Sequence, residues 1–236
     1  MTQQHTNRLL GSLSHENREL LLARCTAVSV PCGTVFYEPN QRPSYGWFLT
    51  SGLASIVAFT KGDLGTGVER MGDEGVVGSL HLLGPAIIPS RCFMQIAGTA
   101  LRIDFADLQR VFWACTEIRA RLLELVQEQV AILHQSAACH LHHEARERLA
   151  SLLLVLQDRT QGETLDVTQE LLATMLGTRR STISVLAAEL QREGLIAYSR
   201  GQVCILNRNK LEVAACSCYP INQRLYQSLY GQGVPA

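Results

Sequence analysis

Apolar positions change period twice along the chain. Between Thr26 and Asp104 they fall in short runs, near Ala27–Val30, Thr34–Tyr37, Trp47–Leu49, Leu53–Thr60, Gly67–Met71, Gly75–Gly78, Cys92–Ile96 and Leu101–Phe105. Turn signals separate them: Pro31-Cys-Gly33, Pro39-Asn40, Ser51-Gly52, Lys61-Gly-Asp63, Gly72-Asp-Glu-Gly75 and Gly98-Thr99. Short β-like runs at roughly 8–12-residue spacing predict an antiparallel sandwich or barrel, with a jelly roll as the natural arrangement. Ahead of this region, Leu9, Leu10 and Leu13, then Leu20, Leu21 and Leu22, predict two short helices, with Ser14 as the cap of the second and Glu16 in its first turn.

From Ala106 to Glu144 the chain lacks Pro and Gly and the period lengthens. A short helix is predicted near Phe105–Phe112 and a long one from about Thr116. In the long one, Ile118, Leu122, Leu125, Gln129, Ile132, Ser136, Cys139 and His143 are spaced 4, 3, 4, 3, 4, 3, 4. That is an a/d seam. It fits either a helix packed on its own β region or a dimer interface. A helix about 40 Å long outreaches one small domain, which favours the dimer.

A further amphipathic helix is predicted over Ala145–Gln157, then a loop over Asp158–Thr164. In Val167–Val203, Thr168 opens a run with Leu171, Leu172, Met175 and Leu176, which Gly177 closes. Thr178 starts a second run with Ile183, Leu186, Ala187 and Leu190, ended by Gly194. Helix, glycine turn, helix is the plan of a DNA-reading helix-turn-helix. Leu195–Leu206 alternates like two short strands around Arg200-Gly201, adding a β-hairpin wing. A short helix over Leu211–Cys218 and a partly ordered tail over Pro220–Ala236 complete the expectation.

Composition limits where binding can reside. The 236 residues are enough for two domains, and 47% hydrophobic with 18% charged residues is globular. Net charge is +0, so nucleic-acid binding must come from a local patch. The second helical run supplies one: Thr178-Arg179-Arg180-Ser181-Thr182 concentrates donors in its first turn, the part of a recognition helix that reaches base edges. Two arginines there oppose the helix dipole and point to an external anion. Arg180, and with it Arg179, can give bidentate bonds to guanine O6 and N7. Ser181, Thr182 and Ser184 suit phosphates or bases, and Thr168, Gln169 and Arg200 suit the DNA backbone. The bland alternative is a solvated helix start.

There are 8 cysteines. The opening MTQQHTNRLLGSL lacks the basic and apolar regions of a signal peptide, and the longest apolar run, near Leu149–Leu156, is too short for a bilayer. A cytoplasmic chain with reduced thiols is therefore expected. Zinc would need paired spacings such as C-x-x-C, and none occurs; Cys216-x-Cys218 is the only close pair. Cys25, Cys32, Cys92, Cys115, Cys139 and Cys204 are scattered, and buried small hydrophobes are the simpler reading for most. No metal site is expected. His134, His140, His142 and His143 cluster late in the long helix. His140 and His143 share a face, so a metal or pH-sensitive seam is conceivable, solvated side chains being simpler.

Taken together, a β-rich region, a long helix and a winged helix-turn-helix resemble the Crp/Fnr transcription regulators over about Asn7–Tyr219. The likeness is most specific at MLGTRRSTIS (175–184) and LQREGLIAYSRGQV (190–203). LEVAACSCY (211–219) is similar to the carboxy-terminal ending of one bacterial branch. The resemblance implies an α+β chain with a cyclic-nucleotide-binding-like double-stranded β-helix over 1–115, a dimerisation helix over 116–144 and a winged helix-turn-helix over 145–236. It also implies a coiled-coil homodimer whose two recognition helices enter successive major grooves, and RNA polymerase as a partner if the chain activates. Relative to the cyclic-AMP receptor protein, Arg180 matches the first recognition arginine, while Ser181 stands at a Glu and Val185 at a second Arg. The half-site should differ accordingly.

Where nucleotide-responsive relatives have Gly-Glu followed by Arg and a small residue, this chain has Gly78-Ser79 and Arg91-Cys92, with Pro85 and Pro89 in a longer intervening stretch. These four are the candidate effector pocket, and the missing Glu speaks against cyclic nucleotide. Cys25 and Cys32 do not supply an iron–sulfur ligand set. Haem would have only His81 and Cys92 as conceivable ligands. No cofactor is thus expected, with a cyclic-nucleotide- or haem-binding regulatory protein as the alternative. A cupin enzyme would need several strand-borne histidines, but His81 is alone between Thr26 and Phe105, and no G-x-S-x-G or phosphate-cradling loop occurs. A nucleotide-binding subunit without DNA contact would leave the winged unit unexplained.

Overall fold

A computed structural model describes residues 7–59, 65–84, 88–160 and 164–231. The expected turn at Lys61–Asp63, Pro85 and the loop glycine Gly162 lie outside them. Two compact units are formed, one from Met1–Ala58, Glu69–Ala131 and Leu225–Ala236, the other from Phe59–Val68 and Ile132–Arg224.

In the first unit, α1 (Arg8–Gly11) and α2 (His15–Leu22) begin at Asn7 and Ser14, whose side chains accept from the amides of Leu10 and Asn17. Strands β1 (Cys25–Val30), β2 (Val35–Tyr37), β3 (Tyr45–Leu49), β4 (Leu53–Ala58), β5 (Thr66–Met71), β6 (Ser90–Ile96) and β7 (Gly98–Asp104) follow. They pair as β1-β7-β3 and β2-β6-β4-β5. The β1–β7, β3–β7, β2–β6 and β4–β6 pairings are antiparallel, as the turn-punctuated sequence requires, but among the described residues the two sheets do not close into a barrel. The predicted strand Gly75–Gly78 is reduced to one bridge, Val77 to Trp47. Gly78 adopts φ 99 and leads into a 3₁₀ turn, Ser79–Leu82, which takes the chain out of the ladder. Phe105 begins a helix rather than ending a strand, because Asp104 caps α3 (Phe105–Ala114) by accepting from Ala106.

Next comes α4 (Thr116–His142), continuous as its uninterrupted helix formers predict. Ile118, Leu122, Leu125 and Gln129, the first half of the expected dimer seam, are buried within their own unit. The neighbouring stripe is the open one: Leu123, Val126, Val130, Leu133 and Ala137 recur at 3, 4, 3, 4 spacing, with Leu123 48% and Val130 42% exposed. The 4-3 rhythm holds but the open face is a different one, since the first unit covers the Ile118–Gln129 stripe itself.

The second unit is built on α5 (Ala145–Thr160). Its Leu149, Ala150, Leu152, Leu153, Leu154 and Leu156 are all buried, so neighbours cover more than one face. Packed on α5 are α6 (Gln169–Leu176), α7 (Arg180–Arg192) and α8 (Arg208–Ala214). A small sheet runs β8-β10-β9, from β8 (Thr164–Asp166), β9 (Ile196–Ser199) and β10 (Gln202–Ile205). The sequence pattern predicts loop at the start of β8, and pairing with β10 makes it a strand. The expected tail instead contains α9 (Cys218–Ser228), with Pro220 in the first turn, where a missing N–H costs no helical bond.

Candidate nucleic-acid interface

Each end of the helix-turn-helix has a local cause. Thr168 Oγ1 accepts from the Leu171 amide at 3.2 Å and starts α6. Gly177 stops it at φ 59, in the left-handed region that glycine enters freely, so that the Thr178 amide turns back to the Ala173 carbonyl at 3.0 Å. The second helix, α7, starts at Arg180, not Thr178, because Arg179 is still extended at φ -82, ψ 146. Ile183, Ala187 and Leu190 then bury one face at i, i+4, i+7. Ser181 and Val185 lie on the opposite face and Arg180 and Ser184 on its flank, all four exposed.

No side chain caps α7 and no acid occupies its first turn. Unpaired helix-start amides beside Arg179 and Arg180 make an electropositive surface that suits an anion. Thr178 and Thr182 beside them are half-buried, as is Gln169 at the start of α6, and Thr168 is exposed. The wing is a two-residue turn with Arg200 at φ 50 and Gly201 at φ 81, both positive as a type I′ hairpin needs. Gln191 of α7 holds this wing, its Oε1 accepting from the Tyr198 amide at 2.8 Å. Arg200 is exposed on the turn. All nine residues singled out for DNA therefore lie in one fold unit, on the two helices and the wing.

The four residues considered for an effector pocket lie apart in character. Ser79 is buried and donates to Gln129 Oε1 at 3.3 Å. Arg91 Nε pairs with Glu38 at 3.3 Å and its guanidinium lies over the Phe93 ring, while Cys92, the next residue of β6, is fully buried. Strand alternation thus turns Arg91 and Cys92 to opposite faces. Burial pushes the Cys92 thiol far up and the His81 imidazole down; His81 meets the edges of Tyr37 and Phe105.

A second constellation was not legible from spacing. Sγ of Cys139, Cys216 and Cys218 and a ring nitrogen of His143 all lie within 4.8 Å of one another. Cys139 Sγ is 3.6 Å from Cys216 Sγ, and Cys218 Sγ is 3.4 Å from His143 Nδ1. Cys139 lies in the last turn of α4 and His143 just past its end, while Cys216 lies in the α8–α9 connection and Cys218 opens α9. His134, His140 and His142 are exposed, as solvated side chains would be. Burial, then the neighbouring Cys216 and Cys218, push the Cys139 thiol well up.

Residues 147–214 match the Crp-like helix-turn-helix domain. Among solved structures, a Crp/Fnr-family regulator from Eubacterium rectale is similar over 87% of this chain and 96% of its own, at 18% identity and TM-score 0.71. CLP, the c-di-GMP responsive global regulator of Xanthomonas campestris, aligns over 81% and 99% at 18% identity and TM-score 0.67. TTHB099, a regulator of the CRP family from Thermus thermophilus, aligns over 80% and 96% at 22% identity and TM-score 0.67. No curated protein sequence matches. No helix among the described residues is long and apolar enough to cross a membrane. The chain thus has the fold of the Crp/Fnr transcription regulators and carries a Crp-like helix-turn-helix domain at 147–214.

Proposed function

We propose that the chain is a homodimeric, sequence-specific DNA-binding transcription regulator. The observation that carries this reading is the exposed start of α7, where the side chains of Arg179 just ahead of the helix and Arg180, Ser181 and Ser184 on it are exposed and have no partner among the described residues. Arg180 reads guanine, Arg179 and the hydroxyls of Thr178, Ser181, Thr182 and Ser184 share bases and phosphates, and Thr168, Gln169 and Arg200 hold the backbone. Arg200 adds independent support. It occupies a left-handed turn position where Asn or Gly is cheaper, and its exposed guanidinium suits a phosphate beside the wing.

Half-site spacing follows from a two-fold pair of reading helices one DNA turn apart. The open stripe Leu123–Val126–Val130–Leu133–Ala137 supplies the pairing surface. An effector would act through residues 1–115 or the long helix by favouring one disposition of the two heads, and RNA polymerase is the partner if binding activates. Selection of bound fragments from random double-stranded DNA tests the reading: a two-fold symmetric motif with guanine in each half is expected. Equal recovery of all sequences at moderate salt would overturn it.

A further inference from the structure

We propose that Cys139, His143, Cys216 and Cys218 hold one zinc ion in a closed tetrahedral site. Around a single zinc, Zn–S distances near 2.3 Å and Zn–N near 2.0–2.1 Å set ligand-to-ligand edges of about 3.8 Å between sulfurs and about 3.6 Å from sulfur to nitrogen. The 3.6 Å Cys139–Cys216 and 3.4 Å Cys218–His143 separations match those edges. A disulfide would need sulfurs about 2.05 Å apart. A multi-iron cluster would spread its ligands much further than one ion does.

The ligands are also supported from behind, as zinc ligands usually are. Gln135 Nε2 donates to Cys218 Sγ at 3.1 Å. Ser151 Oγ accepts from the Cys216 amide at 3.2 Å, which leaves its own hydrogen for Cys216 Sγ at 3.0 Å. Three thiolates around a dication leave one net negative charge. Arg148, whose guanidinium interacts with Cys139 and Cys216, balances it. On binding, the three thiol protons pass to solvent, so affinity rises with pH.

The spacing differs from a linear zinc motif but has its own logic. Cys139 and His143 are i, i+4 on one helical turn, the His143 amide still bonding the Cys139 carbonyl at 3.0 Å. Cys216-x-Cys218 closes the set from the α8–α9 connection, held nearby because Asp158 accepts from both Arg208 and Tyr219 at 2.7 Å. Four protein ligands leave no open position, so the ion is structural. It staples the end of α4 to the end of the winged domain. A search for C-x-x-C does not find this cluster, because its four side chains converge through the fold.

The test uses the full chain, purified under reducing conditions. About one zinc per chain is expected, falling to near zero in Cys139→Ser and Cys218→Ser but retained in Cys204→Ser, whose thiol lies on β10 outside the cluster. Cobalt(II) added to the apo-protein should give the intense visible bands of a tetrahedral site and thiolate charge transfer, saturating at about one ion. Chelator should lower Tm in the wild type and leave Cys139→Ser unmoved. If the serine variants do not fold, Cys218→His decides, since it keeps four ligands and should retain cobalt with about one third of the thiolate absorption lost. A metal-free reduced chain without cobalt bands would overturn the site. So would bound iron with sulfide, a Cys139–Cys216 disulfide, or full thiolate absorption in Cys218→His.

Discussion

Arg148 of α5 donates through Nη2 to the carbonyl oxygen of Leu176, the last residue of α6. A helix leaves its final carbonyls without partners, and here a charged donor from the helix beneath satisfies one of them. The same guanidinium is electrostatically coupled to Cys139 and Cys216, so one side chain links the helix-turn-helix to the proposed zinc site. Arg148→Met keeps much of the apolar stem and removes the donor. It should lower unfolding free energy by about 1–3 kcal/mol, the range for a hydrogen bond to a charged group with a partner left unpaired. Urea denaturation checks this, with a lower midpoint and an unchanged slope expected.

The two DNA arginines should separate by what they report. Arg180→Ala should cost about 1–3 kcal/mol of specific binding and relax one base position. Arg200→Ala should weaken all sequences alike and reduce the salt slope by about one. Fluorescence anisotropy with the selected motif and its single-base variants, at several salt concentrations, distinguishes the outcomes. Loss of base preference in Arg200→Ala, with none in Arg180→Ala, would reverse the roles.

What the sequence made legible was mostly local. Ser14, Thr168, Gly177 and Arg200-Gly201 announce their caps and turns because the causes lie within a few residues. Features set at long range are hidden from it. The spacing of Ile118, Leu122, Leu125 and Gln129 names a stripe but not which partner covers it, and the β region covers it. β8 is only three residues and exists through its pairing with β10, while Pro220 reads as a helix breaker unless its first-turn position is known. Cys139 and Cys216 meet across 77 positions, which no spacing rule anticipates. The donors proposed to face DNA were the easier part, because charge at a helix start is visible in one turn of sequence.

The open stripe of α4 gives a separate test of the dimer. Leu123 and Val130 are a heptad apart, and their exposure leaves a coiled-coil seam unfilled. Leu123→Glu with Val130→Glu places four carboxylates across the two-fold seam. Sedimentation or light scattering should show a monomer, with half-site binding weakened far more than the fold. Ile118→Glu, by contrast, should unfold the first unit, since that side chain is fully buried. A double variant that stays dimeric would place the interface elsewhere.

Glu69 makes stability depend on pH in a direction opposite to an ion-paired carboxylate. On β5 it is 6% exposed, and burial pushes its carboxyl up to about 7 from an ordinary 4.5. The nearby Gln129 and the charge of Arg70 pull the other way, while Glu128 and Glu74 push it further up. The folded state therefore holds a proton that the unfolded chain releases between about pH 4.5 and 7. Stability falls as pH rises through that window, and the penalty is complete above it. Glu69→Gln keeps the shape and removes the ionisation. Its advantage over wild type should grow from under about 1 kcal/mol at pH 5 to about 3 kcal/mol at pH 8, since each tenfold difference in proton affinity between the folded and unfolded chain is worth about 1.4 kcal/mol. Urea midpoints at the two pH values measure this. Parallel curves for the two proteins would mean that Glu69 is ionised in the fold, with its charge satisfied by neighbours.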